Sequence, residues 1–406
     1  MKNNELLNFN EAIKLIDENA FLNKSVSFSF EKCTGLILAE SIIASNDIPA
    51  FTNSAMDGFA VKSEDLTCAS KTNPANLEVI ETVAAGTQST KIVSCGKCAA
   101  IMTGAPMPQG ADAIVKVEDT ERAGNIVKFF APIPMGENVR FKGEEAKKGD
   151  SLVQKDTVVT PGVIGLASSL GMTKLNVFEP SKIAIIITGD EVLHPGSQLQ
   201  PGKIIDATGP ALKSALISDN FSVSYFEYVK DNSSDIEKVI KTAISKADVI
   251  IIAGGASMGE YDFIQDCLTK IGAKKIFWKV AVKPGKPTWF GKFDDKIIFN
   301  LPGNPVSVIV TYYLYVRFLL RRQLGYNSDS AGFKKTMAKL EKTLTKTDQR
   351  LEFVRGITYN NIVTPIQQRG SAMLSGMANA NCLIKFPRYS EKISAGENVE
   401  ILTFDS

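Results

Sequence analysis

Ala253-Gly254-Gly255-Ala256-Ser257-Met258-Gly259-Glu260-Tyr261-Asp262 follows directly on the apolar run Val249-Ile250-Ile251-Ile252. A short β-branched run ended by glycines reads as a fully buried strand that delivers the chain into a loop. The same punctuation recurs downstream. Lys283-Pro284-Gly285-Lys286-Pro287 follows the run 276–282, and Leu301-Pro302-Gly303-Asn304-Pro305 follows 296–300. Repeated strand-then-glycine units predict an open α/β sheet, and ligands of such sheets bind beyond the carboxyl ends of the strands. Backbone N–H groups in glycine loops and at helix starts attract phosphate-like anions, and lysines add compact positive charges. Asp262 and Glu260 would repel such an anion unless a divalent cation lay between them.

Outward from this stretch, residues 183–188 read as a buried strand ending in Gly189-Asp190-Glu191, and 208–217 as a helix. A strand over 222–228, an amphipathic helix over 234–245 and a helix over 261–271 continue the alternation. A strand is expected over 275–282, and a hairpin from 288–291 and 296–301 across Asp294-Asp295. Asn304-Pro305 then opens a long apolar helix, an N-cap and N1 pairing. The whole reads as one doubly wound α/β domain over 181–326. On both sides the pattern changes to short apolar stretches separated by turn residues, a β signature. A helix over 8–23, with Asn10 as its cap, opens the chain. The expected fold class is multidomain α/β plus β: the doubly wound domain flanked by a β-rich N-terminal region and a C-terminal β domain. The expected division is 1–50 with 140–180 as an extended dimerisation domain, 51–139 as a β-rich lobe, 181–326, and 330–406.

With 406 residues the chain is long for a single core. Its net charge of +2 gives no field suited to nucleic acid or an anionic membrane. No apolar run is long enough to span a bilayer, and the polar start is no signal peptide, so the cytoplasm is expected. The one histidine, His194, excludes sites that need several histidines from one chain. Cys95-Gly96-Lys97-Cys98 lacks a second ligand pair and reads as incidental.

Thr188-Gly189-Asp190-Glu191 and Gly254-Gly255 belong at the same sheet edge, so their side chains can share one crevice. A strand-end carboxylate often does no more than cap a helix, and a Gly-Gly turn is often just a turn. Joined by Asp262, Lys283 and Lys286, they favour a site. Composition and spacing therefore point to a phosphate-bearing substrate, a divalent metal on carboxylates, and phosphoanhydride or oxyanion chemistry.

The motifs resemble those of the molybdopterin molybdenumtransferase family, which includes the E domain of gephyrin. The resemblance covers nearly the whole chain. Its carriers are the segment 53–61 around Asp57, Ile101-Met102-Thr103-Gly104-Ala105-Pro106, Thr188-Gly189-Asp190-Glu191, and the stretches 254–262, 283–287 and 301–307. It implies an enzyme that inserts molybdenum from molybdate into adenylylated molybdopterin, with Mg²⁺-dependent hydrolysis of the adenylate to AMP. It also implies a homodimer, and an upstream molybdopterin adenylyltransferase as supplier. By motif, Asp57, Thr103, Glu191, Asp206 and Asp262 take catalytic positions. Gly254, Gly255, Ser257, Gly259, Lys283, Lys286, Pro302, Pro305, Arg355 and Ser371 take substrate or anion positions. Glu191, Asp262 and Glu145 are the expected metal carboxylates. Three positions depart from the family's usual residues: Glu145 stands in place of Asp, Thr208 in place of Asn, and Ala256 in place of Val. Two rival readings are a non-catalytic molybdopterin-binding scaffold and a nucleotide-processing hydrolase sharing only the α/β domain. The joint presence of Asp57, Glu191, Asp262 and both lysines disfavours the first, and the β-rich segments with their own motifs disfavour the second.

Overall fold

The computed structural model describes residues 6–255 and 263–404. The chain forms two compact units. One holds residues 1–39, 158–160 and 174–406, and the other 40–157 and 161–173.

The first unit is built around a six-stranded sheet in the order Val223–Val229, Ile183–Thr188, Val249–Ala253, Lys296–Leu301, Trp289–Phe293, Lys274–Trp278. The first four strands are parallel, and Trp289–Phe293 runs antiparallel to both its neighbours. Every residue of Ile183–Thr188 and Val249–Ala253 is buried, as an apolar run covered on both faces must be. Ala184, Ile186, Ile250, Ile252 and Ile298 pack under helices Ser233–Lys246 and Phe263–Lys270. The helices Thr208–Ser218 and Pro305–Thr311 cover the opposite face, the latter continuing through a π turn at Tyr312–Val316 into Arg317–Gln323. The expected α/β plus β class is what the chain adopts. The strand order reverses between Ile183–Thr188 and Val249–Ala253, the position where such folds open a crevice.

Two local expectations change. The first helix is Phe9–Glu18, and its cap is Asn8, whose side chain accepts from the Asn10 N–H at 2.9 Å. The strand expected over 275–282 is two strands. Lys279 adopts φ 68°, which breaks the first at Trp278. Val282–Lys283 then joins a different sheet, parallel to Leu351–Glu352.

That second sheet closes on itself. Leu351–Tyr359 pairs with Ile362–Pro365, which pairs with Lys334–Leu340; Asn398–Thr403 and Cys382–Phe386 follow, and the last returns to Leu351–Tyr359. The result is a five-stranded barrel filled by Val354, Val363, Ile384, Phe386 and Ile401.

The second unit carries a six-stranded sheet, ordered Ala113–Lys116, Gly58–Val61, Lys97–Ile101, Ala75–Val83, Ile126–Phe129, Thr120–Ala123. Its period-two pattern divides the apolar residues between two cores. Phe59, Val61, Cys98 and Val115 lie on one face, and Ala60, Ala99, Ile101 and Ile114 on the other.

Candidate functional site

Thr188 and Gly254 meet at the carboxyl ends of the two switch-point strands. A Cβ on Gly254 would lie 2.4 Å from Thr188 Oγ1, and its φ of 116° also requires glycine. The Gly303 loop lies alongside, its notional Cβ 3.5 Å from Gly254 Cα. Gly255 sits against Ile264 of the following helix. Ser257, Gly259 and Asp262, expected to complete this loop, lie outside the described residues.

Beyond Gly303 the structure gathers a cationic cavity of about 510 Å³. Lys283, Lys286, Pro302, Arg355 and Ser371 all line it, so five of the sequence-expected residues converge there. Gly285, at φ 107°, lets the lysine loop lie against the helix Pro305–Thr311, since a Cβ there would meet Thr311 Cγ2 at 2.4 Å. Asn304 occupies the N-cap position of that helix, with Pro305 following, but its side chain makes no cap bond; its amide donates instead to Ser371 Oγ at 3.0 Å. The Val306 N–H donates to the Ser371 carbonyl at 3.2 Å. Arg355 is buried; its guanidinium donates to the Gln368 carbonyl and, at 3.2 Å, to that of Gly370. Burial first, then the nearby Arg369 charge, lowers the Arg355 pKa.

The same cavity exposes residues that motif reading did not single out. Glu352 and Arg369 line it, and so does Arg350. Glu352 is buried, with Oε1 3.5 Å from Lys283 Nζ and 3.1 Å from Arg369 Nη2. Arg350 is held by Asp348 and donates to the Val282 carbonyl at 3.2 Å; that guanidinium keeps the Asp348 carboxyl far below its usual range. The signal was present as Arg350-Leu351-Glu352-Phe353-Val354-Arg355, where three charges punctuate a β run.

The carboxylates gather elsewhere along the edge. Glu191 is exposed at the turn after Thr188. Asp190 Oδ1 accepts from the Asp231 N–H at 3.3 Å. Burial, then the charges of Asp190 and Glu191, raises the Asp231 carboxyl. Asp206 is buried and satisfied: it accepts from the N–H groups of Thr208 at 2.8 Å and Gly209 at 3.1 Å, and from the Tyr228 hydroxyl at 2.9 Å. It therefore holds the start of the helix Thr208–Ser218, and the phenol of Tyr228 is pushed up to about 12 by burial and by that carboxylate. Neither Glu191 nor Asp206 lines the cationic cavity.

In the second unit Asp57 and Thr103 form a pair. Asp57 Oδ1 accepts from the Thr103 N–H at 2.7 Å and its hydroxyl at 2.9 Å, which holds the exposed Asp57 carboxyl below its ordinary value. Glu145 is exposed in the turn that follows Gly143. Among the described residues no group of three or more His, Cys, Asp or Glu is placed to hold a metal ion, and no helix is long and apolar enough to cross a membrane.

Three family models match the chain in order. They are the MoeA N-terminal region (domain I and II) over residues 7–171, the probable molybdopterin binding domain over 184–322, and the MoeA C-terminal region (domain IV) over 337–404. A molybdopterin molybdenumtransferase of Staphylococcus aureus (strain COL) is 32% identical over 400 residues, covering 98% of this chain and 95% of that protein. A protein of the same name from Staphylococcus epidermidis is 33% identical over 407 residues, with the same coverage. The crystal structure of a molybdopterin biosynthesis MoeA protein from Pyrococcus horikosii superposes with a TM-score of 0.85 at 30% identity, covering 99% of this chain and 100% of that one. In sequence along its full length and in fold, the chain belongs to the molybdopterin molybdenumtransferase family.

Proposed function

We propose that the protein inserts molybdenum from molybdate into adenylylated molybdopterin and releases AMP, acting as a homodimer downstream of a molybdopterin adenylyltransferase. The observation that carries this reading is the cavity lined by Lys283, Lys286, Arg355 and Ser371 at the end of the Lys296–Leu301 strand. A tetrahedral oxyanion offers only acceptors, and the cavity offers mainly donors. Lysine ammonium groups suit a compact anion, and Arg355, whose guanidinium donates to the Gln368 and Gly370 carbonyls, adds positive charge to the cavity wall. Preorganised donors of this kind favour charge that develops on oxygen during transfer.

Mg²⁺ requires hard oxygen donors and keeps several of its waters. Asp190 and Glu191 offer oxygen donors only, and Mg²⁺ is commonly held by one or two carboxylates with waters completing its shell. Glu191 is the carboxylate we assign to Mg²⁺, with Asp190 beside it; by motif Asp262 is a further candidate, and Glu145 is a candidate in the other unit. The ion's contribution would be to neutralise phosphate charge. The chain's own contribution is to bind the oxyanion through the lysines and to hold the loops at Thr188, Gly254 and Gly303 close together.

The test is release of AMP from adenylylated molybdopterin by the purified protein, measured with and without molybdate and across a Mg²⁺ titration. AMP release that rises with molybdate supports the reading. A Glu191→Ala variant should lose about 10²-fold or more in rate. Molybdate-independent behaviour together with an unaffected Glu191→Ala would overturn it.

A further inference from the structure

Asp219 sets one negative charge against two positive ones. It follows the helix Thr208–Ser218 and precedes the strand Val223–Val229, which places it at the amino ends of the parallel strands, away from the edge that carries Thr188 and Gly254. Its Oδ1 accepts from Arg317 Nε at 2.9 Å and from Arg321 Nη2 at 3.3 Å, and its Oδ2 accepts from the Tyr312 hydroxyl at 2.8 Å. The Asp219 and Arg317 side chains are 4% and 3% exposed, and that of Arg321 is 14% exposed. Among the described residues neither arginine has another ion pair, so one largely buried guanidinium charge lacks a counter-ion. Burial, then the charge of Arg317, lowers the Arg321 pKa. A charge taken out of water without a partner is costly.

Arg321 opens onto a cavity of about 570 Å³, formed wholly within the first unit and sharing no lining residue with the one beside Lys283. Its volume lies in the range of small-molecule sites. Arg321 Nε and Nη1 donate to no described residue, and neither is a sealed atom. The carbonyls of Leu216, Ile217, Arg321 and Arg322, at the ends of the two flanking helices, already accept from backbone N–H groups, so they do not supply the missing acceptor. On the lining, Lys334 and Asp329 are both exposed and cancel in charge, so the excess stays positive. Val158, Leu324 and Phe333 give the cavity an apolar wall. We propose that this cavity is a second ligand site, which takes a small phosphate ester with its phosphate on Arg321 and its organic body on that wall. The phosphate brings acceptors to the two unused nitrogens through charge-assisted bonds and neutralises the excess charge. The organic body gains by leaving water for the apolar wall. Both Asp219 oxygens are engaged by donors, so the carboxylate takes no part in holding the ester.

Phenyl phosphate is the probe, titrated calorimetrically into the full-length protein at constant ionic strength, with inorganic phosphate and benzoate for comparison. The wild type should bind phenyl phosphate about tenfold or more tightly than inorganic phosphate, because the ring adds apolar burial. Benzoate, with fewer acceptor oxygens and less charge, should bind more weakly than phenyl phosphate. Arg321→Gln should lose about tenfold or more, the usual scale for a hydrogen bond to a charged group, with circular dichroism to check its fold. Lys334 and Asp329 are exposed, so their variants probe the cavity without disturbing the core. Lys334→Glu should weaken binding and Asp329→Asn should strengthen it, each by about two- to threefold. Lys286→Ala, in the other cavity, should leave the affinity unchanged. Absence of phenyl phosphate binding by the wild type overturns the proposal, as does an unmoved affinity in both rim variants. Loss of binding in Lys286→Ala but not in a folded Arg321→Gln places the probe beside Lys283 and also overturns it. Equal affinity for benzoate or inorganic phosphate overturns the assignment to phosphate esters.

Discussion

At the scale of single residues, Lys283 and Lys286 differ in what holds them. Lys283 is paired with Glu352 at 3.5 Å, whereas Lys286 lines the cavity next to Pro287. Lys286→Ala should therefore weaken use of molybdate most at low molybdate, and Lys283→Ala should act in the same direction. The double variant should be non-additive, because one anion would touch both. Arginine at position 286 should restore part of the function, its planar fork being a poor copy of an ammonium. Molybdate-dependent cofactor formation measures all four; an unshifted molybdate dependence in both single variants removes the lysines from the site. The Asp57–Thr103 pair makes a second prediction. Its folded pKa lies below the unfolded value of about 3.9, so the pairing adds stability above that value, and the gain is lost as pH falls through the folded pKa. The Thr103 N–H is the larger cause and the hydroxyl the smaller. Thr103→Ala should hence raise the Asp57 pKa only part of the way back, as read by carboxyl NMR titration, and an unmoved titration would contradict the assignment. Lysines on a proline-stiffened turn were readable from sequence because turn chemistry is local. Glu352 and Arg369 were not, because their meaning lies in a contact between residues seventeen positions apart that only the folded chain makes.

At the scale of elements, the buried strands at 183–188 and 249–253 were legible because an apolar run flanked by glycine has few other readings. The strand expected over 275–282 failed for a specific reason. Lys279 sits in an alternating pattern that suits a strand on either side, and periodicity carries no signal for the handedness of its φ. The cap of the helix Thr208–Ser218 illustrates another gap. Asp206 was expected as a catalytic group, and the structure shows its carboxylate, one residue before the N-cap Ala207, accepting from the first two N–H groups of that helix, which any role in chemistry must coexist with. Asp206→Ala should cost about 1 kcal/mol of stability, within the usual range for a lost cap, and somewhat more because the Tyr228 hydroxyl also loses its acceptor. Chemical denaturation gives the number. A stability loss indistinguishable from zero would mean that solvent replaces the cap. Activity falling far beyond what that stability loss explains would add a role in the reaction.

At the scale of the whole molecule, six cysteines are spread over both units and all are free. Burial pushes the thiols of Cys98 and Cys382 up to about 12, which leaves them protonated and unreactive. Intact protein unfolded under non-reducing conditions should alkylate at all six cysteines, and neither reductant nor a zinc chelator should move its melting temperature. A mass deficit of a hydrogen pair, or a chelator-induced drop, would refute this. The class of the fold was legible from the alternation of patterns along the chain, but the barrel's closure was not, since it depends on Cys382–Phe386 returning to Leu351–Tyr359. Nor was the crossing at Val282–Lys283, where the chain leaves one sheet to line the edge of another. That crossing makes the cavity beside Lys283 behave like the gap of a caliper. One jaw is the helix start at Pro305, fixed to the α/β sheet, and the other is the barrel wall at Glu352 and Arg355. The two-residue ladder is the rivet through both. The width of that cavity is then set by how the two sheets are pinned together, so a substitution far out on the barrel that tilts Leu351–Tyr359 should change the gap without touching its lining.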